Sequence, residues 1–218
     1  MNLLAYILFC VLVCTGSMAQ QLAVTLIQTG RTNAAYTDQQ GNGLQINTRQ
    51  TGSDNSFIAI QRGVSNTLTT TQNGLGNRVA TEQTSSVNSI EASQTGFNSE
   101  AYIRQGGAGN RVLLQQAGAG QQADINQSGH SSRLHLNQFG GNGNRFVGVQ
   151  AGNDNQLDLS QIGSNNALTI SQTGIYGRIG GAGQIGSGNQ LQINVSASQV
   201  SMQVNQTGFG NTGNFRQQ

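Results

Sequence analysis

Glutamine and asparagine are the residues of this chain whose type and spacing could do chemistry. From Gln28 onward a Gln recurs every eleven or twelve residues, with Val195 in its place once. In most repeats an Asn follows five residues later, as in the stretch "QTGSDNSFIAIQ" that begins at Gln50. A primary amide has an acceptor oxygen and two N–H donors. Because a buried amide costs free energy unless it is hydrogen-bonded, this spacing predicts ladders in which each amide donates to one neighbour and accepts from the other.

Residues typical of catalytic and metal sites do not form a comparable pattern. His130 and His135 fall at outward positions without a Cys or an acidic cluster, which favours solvated surface over a metal site. The stretch "GGAGQIG" around Gly180 resembles a phosphate loop, but the repeat itself places glycines there. Calcium-binding nonapeptide repeats need an Asp at a fixed place and an ice-binding solenoid needs a regular Thr-x-Thr array, and neither occurs. The sequence predicts no enzyme, no cofactor and no small-molecule substrate.

Composition excludes several further classes. The chain of 218 residues has 31 Gly, no Pro, no Trp and only 8% charged residues, unlike ordinary globular proteins. Its net charge is +2 and every basic residue is Arg, so no basic patch indicates nucleic acid as a required partner. So low a charge also argues against a solvated disordered tail. A repetitive structure is favoured over a conventional mixed core.

The first nineteen residues predict a secretory signal peptide. The apolar run "NLLAYILFCVLVC" is followed by Ser17-Met18-Ala19, which supplies the small residues of a cleavage site. This run is short for a transmembrane helix. A lipoprotein anchor at Cys14 is the alternative, but Val13 stands where a small residue is expected. Cys10 and Cys14 both lie in this segment, so the mature chain from Gln20 has no cysteine.

The mature chain divides into a short strand segment, residues 20–27, and a repeat domain, residues 28–218, of seventeen units that are each eleven or twelve residues long. With Gln as position 1, the consensus is Q-x-G-x-x-N-x-Φ-x-Φ-x, and the units that begin at Gln138 and Gln172 carry one extra residue. Positions 6, 8, 10 and the next 1 alternate with polar residues, which is typical of a strand with one buried face. Gly at position 3 and small polar residues beside it indicate a tight turn. Each unit is therefore predicted to be a strand and a turn.

A longer period indicates how the units stack. Position 8 is a large aliphatic residue in every second unit, as at Ile46 and Leu68, and a mixture of small and bulky residues in the others, as at Ala35 and Phe57. All charged residues fall at outward positions, which is consistent with a dry interior. We predict an all-β protein, a β-solenoid of stacked strand-turn-strand coils with about 22 residues per coil, two parallel sheets and an amyloid-like cross-β spacing of about 4.8 Å.

The residues predicted to build this structure fall into three sets. The glutamines predicted to form ladders are Gln28, Gln39, Gln50, Gln61, Gln72, Gln83, Gln94, Gln105, Gln116, Gln127, Gln138, Gln150, Gln161, Gln172, Gln184 and Gln206. The asparagines predicted to stack in the same way are Asn33, Asn55, Asn66, Asn77, Asn88, Asn110, Asn144, Asn155, Asn166, Asn189 and Asn211. The predicted turn glycines are Gly30, Gly41, Gly52, Gly63, Gly74, Gly96, Gly107, Gly118 and Gly129.

The phrases "QTGSDNSFIAIQ", "QNGLGNRVATEQ" and "QIGSNNALTISQ" resemble the curlin repeat, and the resemblance extends over nearly the whole mature chain. It implies a subunit of curli fibres, the functional amyloid of the bacterial biofilm matrix, secreted through the periplasm by curli-type machinery. As partners it implies further copies of the same chain and a second curlin-like subunit. The chain departs from the familiar subunits in having more units and in entering its first unit directly after the predicted signal peptide, without a Gly-rich leader.

Two hypotheses from different classes follow for the function. The first is a polymerising structural subunit, either the main building block or a nucleator, that serves adhesion and aggregation. The second is a β-solenoid adhesin at the cell surface that does not polymerise. Solenoids that stay soluble need atypical polar repeats at their ends. The final unit keeps Gln206, Gly208 and Asn211, which favours the polymer.

Overall fold

The structure is a computed structural model that describes residues 9–14 and 21–218. Every regular element in this part of the chain is a β-strand. The strands are β1 (Phe9–Cys14), β2 (Leu22–Arg31), β3 (Ala34–Asn42), β4 (Leu44–Ser53), β5 (Ser56–Val64), β6 (Thr67–Leu75), β7 (Arg78–Gln83), β8 (Ser89–Phe97), β9 (Glu100–Ala108), β10 (Arg111–Ala119), β11 (Gln122–His130), β12 (Arg133–Asn142), β13 (Arg145–Asn153), β14 (Gln156–Ser164), β15 (Ala167–Gln172), β16 (Arg178–Ser187), β17 (Gln190–Val195), β18 (Ser201–Met202), β19 (Asn205–Phe209) and β20 (Thr212–Gln217).

Successive strands alternate between two ten-stranded sheets. Sheet A has the order β1-β3-β5-β7-β9-β11-β13-β15-β17-β20, and sheet B runs from β2 through the even-numbered strands to β18, with β19 also pairing with β16. All pairings are parallel, and residues that pair, such as Gln39 and Gln61, stand one coil apart, at a sequence separation of 22. One strand from each sheet makes one coil, and the described chain from β2 to β20 forms nine coils. The predicted β-solenoid, with two units in each coil, is confirmed.

The strands form where the sequence alternates. In β6, side chains at Leu68, Thr70 and Gln72 are buried and those between them are exposed. The inward residues at positions 8 and 10 of both sheets meet in one continuous apolar core, which runs the length of the solenoid. None of the buried side chains in residues 21–218 is charged, which agrees with the outward placement of charges that the pattern predicts.

Bulky and small inward residues compensate for each other within a strand. Phe146 is fully buried in β13, and the residue two positions later on the same face is Gly148. A Cβ on Gly148 would collide with the Phe146 ring. Phe57 and Ala59 in β5 form the same kind of pair. The thin core therefore accommodates aromatic rings without spreading the coils, and each ring contributes about 1.5–3 kcal/mol of burial.

The turns between strands depend on two left-handed positions. Gly30, at unit position 3, has a φ of +117°, and a Cβ there would collide with the carbonyl oxygen of Gly52 in the next coil. Unit position 5 is left-handed too, with a φ of +57° at Asp54 and at Ser65. Asp, Asn and Ser are frequent at this place because short polar side chains tolerate that conformation better than bulky ones do.

The two extra residues of the repeat are accommodated in different ways. In the unit that begins at Gln138 the register with β10 shifts at the corner, between Ala117 and Ala119. In the unit that begins at Gln172 the shift lies within β16, where Gly181 adopts a φ of +66° as the additional residue of a bulge. Both insertions leave the inward alternation intact on either side of them.

At the N-terminus, β1 pairs with β3 in parallel, from Phe9 opposite Ala34 to Cys14 opposite Gln39. This strand lies within the predicted signal peptide. The remaining residues of that prediction, 1–8 and 15–19, are outside the described residues. The segment predicted over residues 20–27 falls largely within β2, which supplies the sheet B strand of the first coil.

Candidate functional site: the amide rows and the ends of the solenoid

The inward glutamines at unit position 1 line up in two rows, one in each sheet. Neighbouring side chains in a row are joined by Nε2 to Oε1 hydrogen bonds of 2.5 to 3.2 Å. The row in sheet B consists of Gln28, Gln50, Gln72, Gln94, Gln116, Gln138, Gln161, Gln184 and Gln206. The row in sheet A consists of Gln39, Gln61, Gln83, Gln105, Gln127, Gln150 and Gln172.

Every bond in these rows points the same way. The Nε2 of each glutamine donates to the Oε1 of the glutamine in the next coil toward the C-terminus, as from Gln50 to Gln72 at 2.8 Å. The second N–H reaches across the core to a backbone carbonyl of the opposite sheet, as from Gln50 Nε2 to Ala34 O at 3.1 Å. One amide thus ties two coils and two sheets together, and each row has a donor end and an acceptor end.

The row in sheet A is interrupted near the C-terminus. Gln172 accepts from Gln150 at 3.2 Å, but its own Nε2 is buried without a partner. The residue opposite it in β17 is Val195, which has no acceptor in its side chain. A buried amide group without a partner costs about 1–3 kcal/mol. The last coil is therefore held less firmly in sheet A than the coils before it.

The asparagines at unit position 6 bond differently from the glutamines. Direct amide-to-amide bonds join only Asn55 to Asn33 and Asn189 to Asn166 among the described residues. Elsewhere the Oδ1 accepts the backbone N–H of the position 6 residue in the next coil, as Asn66 Oδ1 does from Asn88 N at 2.9 Å. Most asparagines therefore bond to the next asparagine in the stack through its backbone N–H and not through its side-chain amide.

The reason is the length and the place of the side chain. Asparagine has one methylene fewer than glutamine and stands directly after the turn, so its Nδ2 lies close to the carbonyls of two turns. The Nδ2 of Asn77 donates to Asn73 O at 3.4 Å and to Gly96 O at 3.0 Å in the next coil. These asparagines fasten each turn to the turn that follows it. The predicted residues that make this turn contact are Asn33, Asn55, Asn66, Asn77, Asn88, Asn110, Asn144, Asn155, Asn166 and Asn189.

Three residues that the consensus omits share the corner positions of the asparagines. Gln121 Nε2 donates to Gly140 O at 2.9 Å, as an asparagine would do there. Ser132 Oγ accepts from Asn155 N at 3.3 Å, and Ser99 N donates to Asn77 Oδ1 at 3.1 Å. Their unit position could have identified them from the sequence, since all three stand five residues after the Gln that begins a unit.

The outer faces carry scattered charges. Three ion pairs, Asp38–Arg62, Glu82–Arg104 and Glu91–Arg111, have N to O separations of 3.6 to 3.9 Å and lie on the surface. Exposed pairs of this kind contribute about 0–1 kcal/mol. His135 Nδ1 lies 3.2 Å from Asp158 Oδ1 in the next coil, whereas His130 Nδ1 lies 3.4 Å from the Ala108 amide nitrogen. Within residues 21–218 no group of three or more His, Cys, Asp or Glu side chains gathers as a metal site would require.

The two ends of the solenoid differ in chemistry. At the N-terminal end, Gln28 Oε1 and Gln39 Oε1 are buried without a partner among the described residues. At the C-terminal end, Gln206 Nε2 donates to Gln190 O at 3.0 Å, and the described residues offer its second N–H no acceptor. Asn211 Nδ2 donates to Thr207 O at 2.9 Å. The sheet B row thus has an acceptor, Gln28 Oε1, at one end and a donor, Gln206 Nε2, at the other.

One part of the repeat domain matches a known protein family. The sequence model of the curlin associated repeat matches residues 88–118, which comprise β8, β9 and most of β10. No curated protein matches the chain significantly. No helix in the described part of the chain is long and apolar enough to cross a membrane.

Proposed function

We propose that this chain, which belongs to the curlin-repeat family, is a secreted structural subunit that assembles end to end into extracellular curli-like fibres of a bacterial biofilm matrix, for adhesion and aggregation. The family is a structural one. The observation that carries the proposal is the single direction of the sheet B glutamine row. It leaves an acceptor at Gln28 and a donor at Gln206, so the two ends of a subunit are complementary to each other. A stack of copies is the arrangement that satisfies both ends.

The geometry of the ends supports continuous stacking. The first described coil consists of β2 in sheet B and β3 in sheet A, and the last consists of β18 and β19 in sheet B followed by β20 in sheet A. A second copy placed with its N-terminal end on the C-terminal end of the first would therefore extend both sheets in the same order. Gln206 Nε2 would then donate to Gln28 Oε1 of the next copy, and unpaired strand edges would find backbone partners.

The position of β1 connects assembly to secretion. In sheet A, β1 pairs with the outer edge of β3 over six residues. Removal of residues 1–19 by signal peptidase would take this strand away and leave the edge of β3 free for another subunit. In this scheme the precursor has one occupied edge, and the secreted chain has two sheets that are both open at the N-terminal end.

The partners follow from the same scheme. The first is another copy of this chain, because the acceptor end of the sheet B glutamine row is complementary to its donor end. A second curlin-like subunit that starts the fibre would use the same end contacts, and curli-type secretion machinery would deliver the chain to the cell surface. These two partners rest on the family relationship.

The proposal is tested with purified residues 20–218 in plain buffer at micromolar concentration. We expect thioflavin-positive fibres whose diffraction shows a meridional spacing of about 4.8 Å from the coil repeat. The same experiment with residues 1–218 should show slower elongation on preformed seeds, because β1 covers one edge. A mature chain that remains monomeric for days would contradict the proposed function.

A further inference from the structure

An apolar stripe follows one corner of the solenoid, where the strands of sheet B turn toward sheet A. We call it the corner stripe. Each member is a large apolar side chain between 36% and 83% exposed. The corner stripe consists of Leu75, Phe97, Phe139, Ile162, Ile185 and Phe209.

The corner stripe is nearly continuous from coil to coil. Leu75 is in register with Phe97 in the next coil, and Ile162 is in register with Phe139 on one side and with Ile185 on the other. The coil between Phe97 and Phe139 contributes two smaller apolar residues, Ala117 and Ala119, which pair with residues of those neighbouring coils. In the last coil Phe209 is in register with Ser187, two residues after Ile185, so the stripe steps sideways there. The apolar surface therefore extends over seven consecutive coils, a length of about 30 Å at the strand spacing of parallel sheets.

This corner is also free of charge along the corner stripe. The turns from residue 73 to residue 211 on this side contain no Asp, Glu, Lys or Arg. Charges at this corner occur only in the first two coils, at Arg31 and Asp54. The opposite corner, by contrast, carries Arg62 and Asp154. The corner stripe offers no charged side chain to bind an anionic polysaccharide, a nucleic acid or a lipid headgroup. An uncharged apolar surface, such as the corner stripe of another copy, would match it.

The size of the corner stripe decides between a dimer and a larger assembly. Its side chains expose roughly 500–600 Å² of apolar surface, at the upper limit of what a monomer usually leaves in water. A stable pair of proteins buries about 800 Å² on each partner. One corner stripe is therefore too small to hold two free subunits together. Stacked subunits repeat the stripe along the fibre axis, so many weak contacts add up between two parallel rods.

We infer that the corner stripe is the surface through which one filament of this chain packs laterally against a second filament of the same chain. The inference rests on the proposed end-to-end assembly. A second filament has the same axial spacing of about 4.8 Å, so its own corner stripe can meet this one at each of the seven coils that carry the stripe. Growth and bundling then use separate surfaces, the ends for growth and this corner for bundling.

The test compares two double variants with matched exposure and matched charge. Leu75→Glu/Ile162→Glu alters the corner stripe, at residues 43% and 42% exposed. Val64→Glu/Ile175→Glu places the same charges on the opposite corner, at residues 49% and 42% exposed. Fibres of residues 20–218 are grown from each variant, and filaments per bundle are counted by negative-stain electron microscopy alongside seeded elongation rates. We expect at least threefold fewer filaments per bundle for the corner stripe variant, wild-type bundles for the control, and elongation rates within twofold for both.

The outcomes separate this inference from the proposed function. Filaments of the corner stripe variant that bundle as thickly as wild type, or equal thinning in both variants, would overturn the inference and leave end-to-end assembly intact. A wild-type chain that forms no filaments at all would overturn both.

A second measurement uses wild-type bundles and needs no variant. Bundles held by apolar contacts should persist in 1 M NaCl, where the Debye length is about 3 Å, so dissociation into single filaments at that salt would also overturn the inference.

Discussion

At the scale of single residues, backbone conformation and amide bonding limit what the repeat tolerates. At most occurrences of unit position 3, as at Gly52, the backbone is left-handed and the carbonyl of the next coil lies close, so two independent causes select glycine there. At unit position 1 an amide finds a donor and an acceptor in the two adjacent coils, except beside Val195. The close carbonyl and the amide row both belong to stacked neighbours, and substitutions at these positions therefore report on stacking.

Gly52→Ala should destabilise the folded chain by about 2 kcal/mol or more, because a residue held in an unfavourable backbone region costs about 1–3 kcal/mol and the clash adds to it. Gly52 has a φ of +110°, and a Cβ there would meet Gly74 O. The matched control is Gly106→Ala, since a Cβ at Gly106 would lie 3.6 Å from its nearest neighbour, Thr84 Oγ1. The free energy of unfolding in urea at sub-micromolar concentration measures both. Equal losses would refute the role given to the turn glycine.

Val195→Gln should stabilise the last coil, because it supplies an acceptor for the unpaired Gln172 Nε2 and continues the row in sheet A. The expected gain is about 1 kcal/mol, the net value of a typical hydrogen bond. Val195→Leu is the control, since it changes volume at the same buried site without adding an acceptor. Amide hydrogen exchange of β17 and β20 is the measurement. Slower exchange in the Leu variant than in the Gln variant would contradict the expectation.

At the scale of elements, each strand has one face in the core and one in solvent, and neighbouring residues therefore differ sharply in their environment. In β6, Leu68 is 2% exposed, whereas Thr67 points outward. The core between the two sheets is thin, so an inward residue contacts strands of both sheets.

Leu68→Asp should therefore abolish or strongly slow fibre formation, because it places an unpaired charge in the core. Thr67→Asp, the adjacent residue of the same strand, should change the assembly rate by less than about twofold, since surface substitutions are usually within about ±0.5 kcal/mol. Thioflavin kinetics at equal concentration compare the two variants. Equal effects would mean that the register of β6 is incorrect.

At the scale of the whole molecule, the solenoid is a rod whose two ends are complementary and whose sides differ from one another. Most glutamines of the interior coils are paired within one chain, whereas in the proposed stack Gln206 Nε2 and Gln28 Oε1 would find their partners in a neighbouring copy. The same substitution should thus have different consequences in the middle and at the end.

Gln206→Leu/Asn211→Leu should slow seeded elongation on wild-type seeds more than Gln105→Leu/Asn110→Leu does. At the end, the lost bonds subtract directly from each subunit addition, and a loss of about 1.4 kcal/mol corresponds to a tenfold change in an equilibrium constant. In the central coil, the loss lies within one folded chain, between Gln105 and its neighbours Gln83 and Gln127. If the central pair slows elongation as much or more, growth does not proceed through the C-terminal coil.

The sequence alone determined the strand-and-turn unit, its inward and outward faces and the coil of two units, because alternation, turn glycines and excluded charges are local properties that repeat. It did not determine how the amides bond. The asparagines were predicted to form ladders, and the structure adds that their Nδ2 groups donate to turn carbonyls, as from Asn77 to Gly96 O. The common direction of the glutamine rows has no signature in a list of identical residues. The unpaired amide of Gln172 and the pairing of β1 with β3 also emerged only from the tertiary structure. The physical reason is that the bonded atoms belong to residues a full coil or more apart in the chain. An inserted residue such as Gly181 shifts the register between coils, so only the stacked backbone decides which atoms meet.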